Sequence, residues 1–403
     1  MNIEIREIIA AQERLRPILH RTELDLSSTY SAMTGGQIYL KCENRQKTGS
    51  FKIRGASNKL AAMVERGKVC PVVASSAGNH AQGVAYAAKK LNIPATIVMP
   101  KAAPIAKVQA TEGYGAKVVL AGDCYDDAYA EACRICREEG AEFLHPYNDV
   151  DVIAGQGTLG LEIISELSDV DIVIVPAGGG GLLAGVACAI KQLKPHVKVY
   201  GVQAEGADAI AQSYREKRQV CTDSVATIAD GIAVKAPGDI TVELINKYAD
   251  GVVTVTDSEI SEAILLLMER SKQIVEPAGA TPLAAVLNDK IDVKGKKVVC
   301  VMSGGNIDVS FVQCIIERGL VARHRRMRFT VTLADRPGSL VQMLNILAES
   351  SANVLTVEHD KLNMELNPNE TTVHVACEVG GLEHGRLVLE KLKSKGYKTV
   401  QYS

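Results

Sequence analysis

Lys52 stands in the run Lys47-Thr48-Gly49-Ser50-Phe51-Lys52-Ile53-Arg54-Gly55-Ala56, next to a phenylalanine and just ahead of an expected helix. A lysine held in a partly apolar site binds its proton less tightly, and its neutral amine can form a Schiff base with a carbonyl. Taken alone, the run also reads as an ordinary charged helix start. Ser75-Ser76-Ala77-Gly78-Asn79-His80 follows the apolar stretch Val72–Ala74. Ser75, Ser76 and Asn79 are good N-cap residues, so simple strand-to-helix punctuation would account for them. The same geometry leaves free N–H groups that can seat a carboxylate.

A third run, Gly178-Gly179-Gly180-Gly181-Leu182, lies between another apolar stretch and an expected helix. Four successive glycines are costly in chain entropy. They let the backbone close on a phosphate, whose charge the helix dipole favours. Gly179–Ala184 also fits a loose GxGxxA, with Glu205 as a ribose-binding acid, which would suit a nicotinamide cofactor and an oxidoreductase. That reading leaves Lys52 and the Ser-Gly-Asn-His run without a purpose. Ser303-Gly304-Gly305-Asn306 puts a hydroxyl after the last apolar stretch, where open α/β sheets bind ligands. Glu276, in Val275-Glu276-Pro277-Ala278-Gly279-Ala280, is a second-rank candidate that could orient substrate or cofactor, or merely favour a helix dipole.

The elements that must carry these runs are legible from about Gln37 to Met302. Val72–Ala74, Ala95–Met99, Ala116–Leu120, Ile172–Val175, Val197–Gln203 and Lys297–Met302 are short, rich in Val and Ile, and mostly apolar on both faces. Buried parallel strands read this way. Segments such as Ala81–Leu91 and Leu183–Gln192 are long enough to be crossover helices. An open α/β architecture with parallel sheets follows, and the glycine-rich turns near Gly78 and Gly178 suggest two lobes sharing one cleft. The pattern changes near Arg318. Arg323, His324, Arg325, Arg326 and Arg328 form a basic connector, beyond which Arg328–Leu333, Ser339–Ser350, Val354–His359, Thr371–Glu378, Leu387–Lys395 and Thr399–Tyr402 spell βαββαβ. That is a ferredoxin-like plan.

Composition bounds the function. The 403 residues are enough for two or three domains, and 47% hydrophobic content supports a sizeable core. A formal net charge of -2 gives no reason to expect nucleic acid or a membrane surface as partner. No apolar run reaches bilayer length, and Met1–Glu7 mixes both charge signs, so the expected location is the cytoplasm. Ten cysteines lie scattered, and the pair Cys133 and Cys136 falls in an expected helix, Asp123–Glu139. Reduced, packing thiols are the expectation there, with no metal site.

Taken together and in this order, the four runs resemble the fold-type II pyridoxal-phosphate enzymes, and within them the threonine dehydratases (threonine ammonia-lyases). The resemblance spans nearly the whole chain. It implies a catalytic part at 1–320, with a smaller lobe at roughly 48–149 inserted in a larger one, a linker at 321–327, and a final unit at 328–403. It implies pyridoxal 5'-phosphate as cofactor, with Lys52 as Schiff-base lysine and general base, Phe51 packing on the ring, Asn79 on the ring's 3-hydroxyl oxygen, and Ser303 facing the pyridine nitrogen. Gly178, Gly179, Gly180, Gly181 and Leu182 would bind the phosphate, and Ser75, Ser76, Ala77, Gly78, Asn79 and His80 the substrate carboxylate. The implied reaction converts L-threonine to 2-oxobutanoate and ammonia, and L-serine to pyruvate and ammonia. Serine racemase shares the Ser-Phe-Lys and Gly-Asn-His elements, but its second acid/base is a serine where this chain has Ala77. Its cation-binding acids would fall at Gln203 and Ala209. The Asp335-Arg336-Pro337-Gly338-Ser339-Leu340 opening of the last unit resembles the ACT domain. That likeness implies an amino-acid effector, with isoleucine or valine the natural choice, and the family implies a homotetramer or homodimer.

Overall fold

The structure is a computed structural model that describes residues 3–360 and 367–402. The chain divides into two compact units, 1–307 and 308–403. The helix Val309–Ala322 therefore goes with the second unit, and it and the strand Arg326–Ala334 take up both ends of the 321–327 connector drawn from the sequence.

The first unit carries ten strands: β1 (Leu24–Ser27), β2 (Gln37–Lys41), β3 (Val72–Ser75), β4 (Ala95–Met99), β5 (Lys117–Leu120), β6 (Glu142–Phe143), β7 (Ile172–Pro176), β8 (Lys198–Ala204), β9 (Gly251–Val255) and β10 (Lys297–Val301). They form a six-stranded sheet in the order β1-β2-β10-β7-β8-β9 and a four-stranded sheet in the order β5-β4-β3-β6. The smaller sheet is built from chain that lies between β2 and β7, so one lobe interrupts the other in sequence. All pairings are parallel except β1 with β2, an antiparallel edge on an otherwise parallel sheet. Every residue of β3, β4 and β7 is buried, as strands covered by helices on both faces must be.

Two helices of the first unit pack closely on each other. Val150–Glu166 packs so closely on Gly181–Leu193 that a Cβ on Gly185 would lie 2.4 Å from the Ile153 carbonyl oxygen. The first of these begins at Asp149, whose carboxylate accepts the main-chain N–H groups of Asp151 and Val152.

The second unit contains β11 (Arg326–Ala334), β12 (Asn353–Asp360), β13 (Glu370–Glu378) and β14 (Lys398–Tyr402) in the order β12-β13-β11-β14, all antiparallel. With helices Ser339–Glu349 and Leu382–Ser394 the order is βαββαβ, the second helix starting five residues earlier than the sequence suggests. Its core is its own, with Phe329, Val331, Met343, Leu347, Val373, Val375, Cys377 and Leu392 among the buried residues.

Candidate active site

Lys52 is the first residue of the helix Lys52–Glu65. Its approach is laced to the segment after β10. The Phe51 N–H donates to the Ser303 carbonyl at 3.0 Å, Ser50 pairs with Gly304 in an antiparallel bridge, and the Gly305 N–H donates to Gly49 at 2.9 Å. The first and fourth sequence runs are therefore one structure. Two residues further on, Arg54 turns into the core and is fully buried. Its guanidinium makes bidentate contacts with Glu43 (2.7 and 2.8 Å) and with Glu162 (2.7 and 2.9 Å), which tie the Lys52 helix to the larger sheet and to Val150–Glu166.

The Asn79–Lys90 helix packs against this start. A Cβ on Gly83 would meet the Lys52 carbonyl group at 3.1 Å, so glycine there permits the approach. Lys52 Nζ lies 5.3 Å from the Phe51 ring centre and donates to the Pro146 carbonyl at 3.0 Å. Burial lowers the lysine's pKa to about 8, against an opposing pull from Glu276.

The second run connects β3 to the Asn79 helix. Gly78 N–H donates to Ser76 Oγ at 3.2 Å, and the first N–H groups of the helix have no intrahelical acceptor. Ser75 Oγ is buried without a partner, as are Thr48 Oγ1 and Ser50 Oγ on the Lys52 approach. The His80 ring is committed to the backbone rather than to this seat. Its Nε2 lies 2.9 Å from the Leu144 carbonyl, and burial first, then the Lys52 charge, lower its pKa to about 3. It is a neutral ring that donates to a backbone oxygen.

Asn79 Nδ2 donates to both oxygens of Glu276, at 2.8 and 2.9 Å. Glu276 is itself buried, which raises its pKa, and it sits so near Gly304 that a Cβ there would lie 2.4 Å from Oε1. The glutamate that the sequence ranked second thus stands among the first-ranked residues.

The glycine run lies between β7 and the helix Gly181–Leu193, with Gly180 at φ +95 as N-cap. A Cβ on Gly179 would fall 2.4 Å from the Tyr147 ring, and one on Gly178 2.9 Å from Ile232 Cα. Tyr147 follows Pro146, whose carbonyl holds Lys52, so residues 146–147 bridge the amine and the glycine run.

All four runs and Glu276 meet around one cleft. The sequence reading gave no role to Pro146 or Tyr147, and none to Asn306 within the fourth run. For the first two the signal was the concentration of turn and aromatic residues in His145-Pro146-Tyr147-Asn148 ahead of the Asp149 cap. Cys133 and Cys136 lie on the helix Tyr125–Glu139 as free thiols, and among the described residues no group of three or more His, Cys, Asp and Glu could hold a metal ion.

Pyridoxal phosphate fits this set by the chemistry of its donors. The cleft offers an amine of lowered pKa, a helix N-terminus opened by glycines, a side-chain amide, and three buried hydroxyls with no partner in the protein.

Residues 15–304 match the family described as "Pyridoxal-phosphate dependent enzyme". A protein of Thermotoga maritima named L-threonine ammonia-lyase is 50% identical over 395 residues, covering 98% of each chain. The processed form of threonine deaminase isoform 2 from Solanum lycopersicum superposes with a TM-score of 0.75 at 36% identity, over 78% of this chain and 86% of that one. Maize serine racemase gives a TM-score of 0.75 at 37% identity, over 80% of this chain and 100% of its own.

Proposed function

The chain belongs to the family of pyridoxal-phosphate dependent enzymes, and on that premise we propose that it is an L-threonine ammonia-lyase, converting L-threonine to 2-oxobutanoate and ammonia. The observation that carries the choice within the family is the 50% identity, end to end, with a relative of that name. L-Serine, which lacks one methyl group, would give pyruvate and ammonia, since a methyl is worth only about 1–3 kcal/mol of discrimination. Family membership sets aside the nicotinamide reading of the glycine run.

The cofactor supplies an electron sink for the charge that develops at the substrate Cα. The chain's own residues do the rest. Lys52 takes the α-proton at Nζ, and its lowered pKa suits a base working near neutrality. Phe51 flanks it, Gly178–Leu182 seats the phosphate, Asn79 and Ser303 serve the two polar edges of the ring, and Ser75–His80 takes the substrate carboxylate. His80 is neutral, so the carboxylate seat draws on main-chain N–H groups and hydroxyls rather than on a cation. Glu276, which accepts from the Asn79 amide, would stand beside the edge of the ring that Asn79 holds. Ala77 offers no proton to the face opposite Lys52, which argues against racemisation in spite of the likeness to serine racemase.

The second unit we read as an ACT-like regulatory domain. Asp335–Leu340, where β11 ends and the helix Ser339–Glu349 begins, is the candidate effector contact, with isoleucine or valine as effector. A cytoplasmic homotetramer or homodimer is the assembly expected of such an enzyme.

The deciding test compares the purified protein with Lys52→Ala. The native protein should form 2-oxo acid from L-threonine and L-serine and absorb near about 410–420 nm, the region expected for a lysine-bound cofactor. The variant should lose both. Turnover unchanged in the variant would remove Lys52 from the reaction.

A further inference from the structure

We propose that Asn306 is a positioning residue that fixes which face of the Asn79 amide the cofactor meets. The inference rests on the reading of Asn79 as a ring contact. It starts from a group with one possible role. The Thr48 carbonyl can only accept, so the Asn306 atom 2.8 Å from it is the amide nitrogen. The same nitrogen lies 2.7 Å from Asn79 Oδ1, and its two hydrogens serve both acceptors. The Asn79 oxygen is thereby held toward Asn306, and its NH2 group is turned into the cleft, where it now meets Glu276 at 2.8 and 2.9 Å.

The Asn306 side chain is itself wedged. Gly49 has φ +73, and a Cβ there would lie 2.3 Å from Asn306 Oδ1, so glycine in the loop before Lys52 is what leaves room for the side chain in this position. The Asn306 main-chain N–H also reaches Glu276. One residue thus joins the Lys52 approach, the start of the Asn79 helix and Glu276, across 227 and 258 positions of sequence. When Asn79 turns its NH2 to an oxygen on the cofactor ring, Asn306 is the partner that still dictates the orientation.

The experiment is a double-mutant cycle on the full chain, reading the equilibrium dissociation constant for pyridoxal 5'-phosphate and the absorption band of the bound cofactor. Asn306→Asp cannot donate to Thr48 and draws the Asn79 NH2 toward itself, so the dissociation constant should rise by about tenfold or more and the band should shift. Asn306→Ser keeps a single donor and should lie between the two; it carries the test if the aspartate variant does not fold. In an Asn79→Ala background each substitution should change the constant by less than about twofold. An equal loss in both backgrounds would mean that Asn306 acts on the Lys52 approach alone, and no loss in either would leave it without a role, both of which overturn the proposal. If Asn79→Ala by itself changed neither constant nor band, the Asn79 reading would fall first and this inference with it.

Discussion

The amine of Lys52 is in the cleft with one backbone acceptor and one nearby carboxylate, and burial outweighs the carboxylate in setting its pKa to about 8. At pH 7.5 about a quarter of such an amine is neutral, against about a thousandth for an ordinary lysine. Only the neutral form attacks a carbonyl. The rate at which cofactor-free protein takes up pyridoxal 5'-phosphate should therefore rise with pH and level off above about 8, as read by stopped-flow absorbance. The Glu276 charge raises the lysine's pKa, so Glu276→Gln should move that profile to lower pH. A shift to higher pH would contradict the arrangement of these two groups. His80, at about 3, should add no inflection between pH 5 and 9. The residues legible in the sequence were those whose chemistry is local: a lysine beside a phenylalanine, a serine-glycine-asparagine helix start, a run of glycines. Pro146 and Asn306 act across 94 and 227 positions, through a backbone oxygen and an amide orientation, and Tyr147 acts on the glycine run through a ring face. Nothing in residue type or spacing encodes those.

Between elements, the Lys52 helix is held by a charged joint rather than by apolar packing alone. Arg54 serves Glu43 beside β2 and Glu162 on Val150–Glu166, and Lys41 on β2 reaches Glu162 and Glu166 at 3.0 and 3.2 Å. Removing one member of such a buried set leaves its partners unpaired and costs about 3–5 kcal/mol. Arg54→Ala should lower the urea midpoint accordingly, without a change in slope, while Arg14→Ala, whose salt bridge to Glu65 is partly exposed, should cost about 1 kcal/mol or less. Equal losses would mean that the joint is no more than surface pairing. The sequence placed the strands that are apolar on both faces to within a residue or two, because burial by helices on each side leaves an unbroken Val and Ile run. It did not name β1, β2, β6 or β9, of which β1, β6 and β9 are sheet edges and β2 lies just inside β1. Their burial patterns are only partial, and an edge strand shows the chain neither a continuous apolar run nor a clean alternation.

At the scale of the whole chain, each unit has the parts of an independent fold. Both sheets and all four chemical runs lie within 1–307, while 308–403 closes a four-stranded sheet over its own core. Maize serine racemase matches four-fifths of this chain with its entire length, which is what a catalytic unit able to stand alone would give. A chain ending at Ala322, after the helix that follows Ile307, should therefore bind pyridoxal 5'-phosphate and form 2-oxobutanoate from L-threonine at a rate within about a factor of ten of the full protein. A difference of that size is about 1.4 kcal/mol in barrier, no more than the loss of a few contacts. What the shortened chain should lose is any response to isoleucine or valine, measured as a shift in the threonine concentration giving half-maximal rate. The fragment 308–403 should unfold cooperatively by itself, and its midpoint should rise in the presence of the effective amino acid, because a ligand that binds only the folded form stabilises it. If the shortened chain kept the response, the effector would bind within the catalytic unit. If the full chain showed none, the second unit would have only a structural part, and a change in assembly on its removal would then be the measure of it.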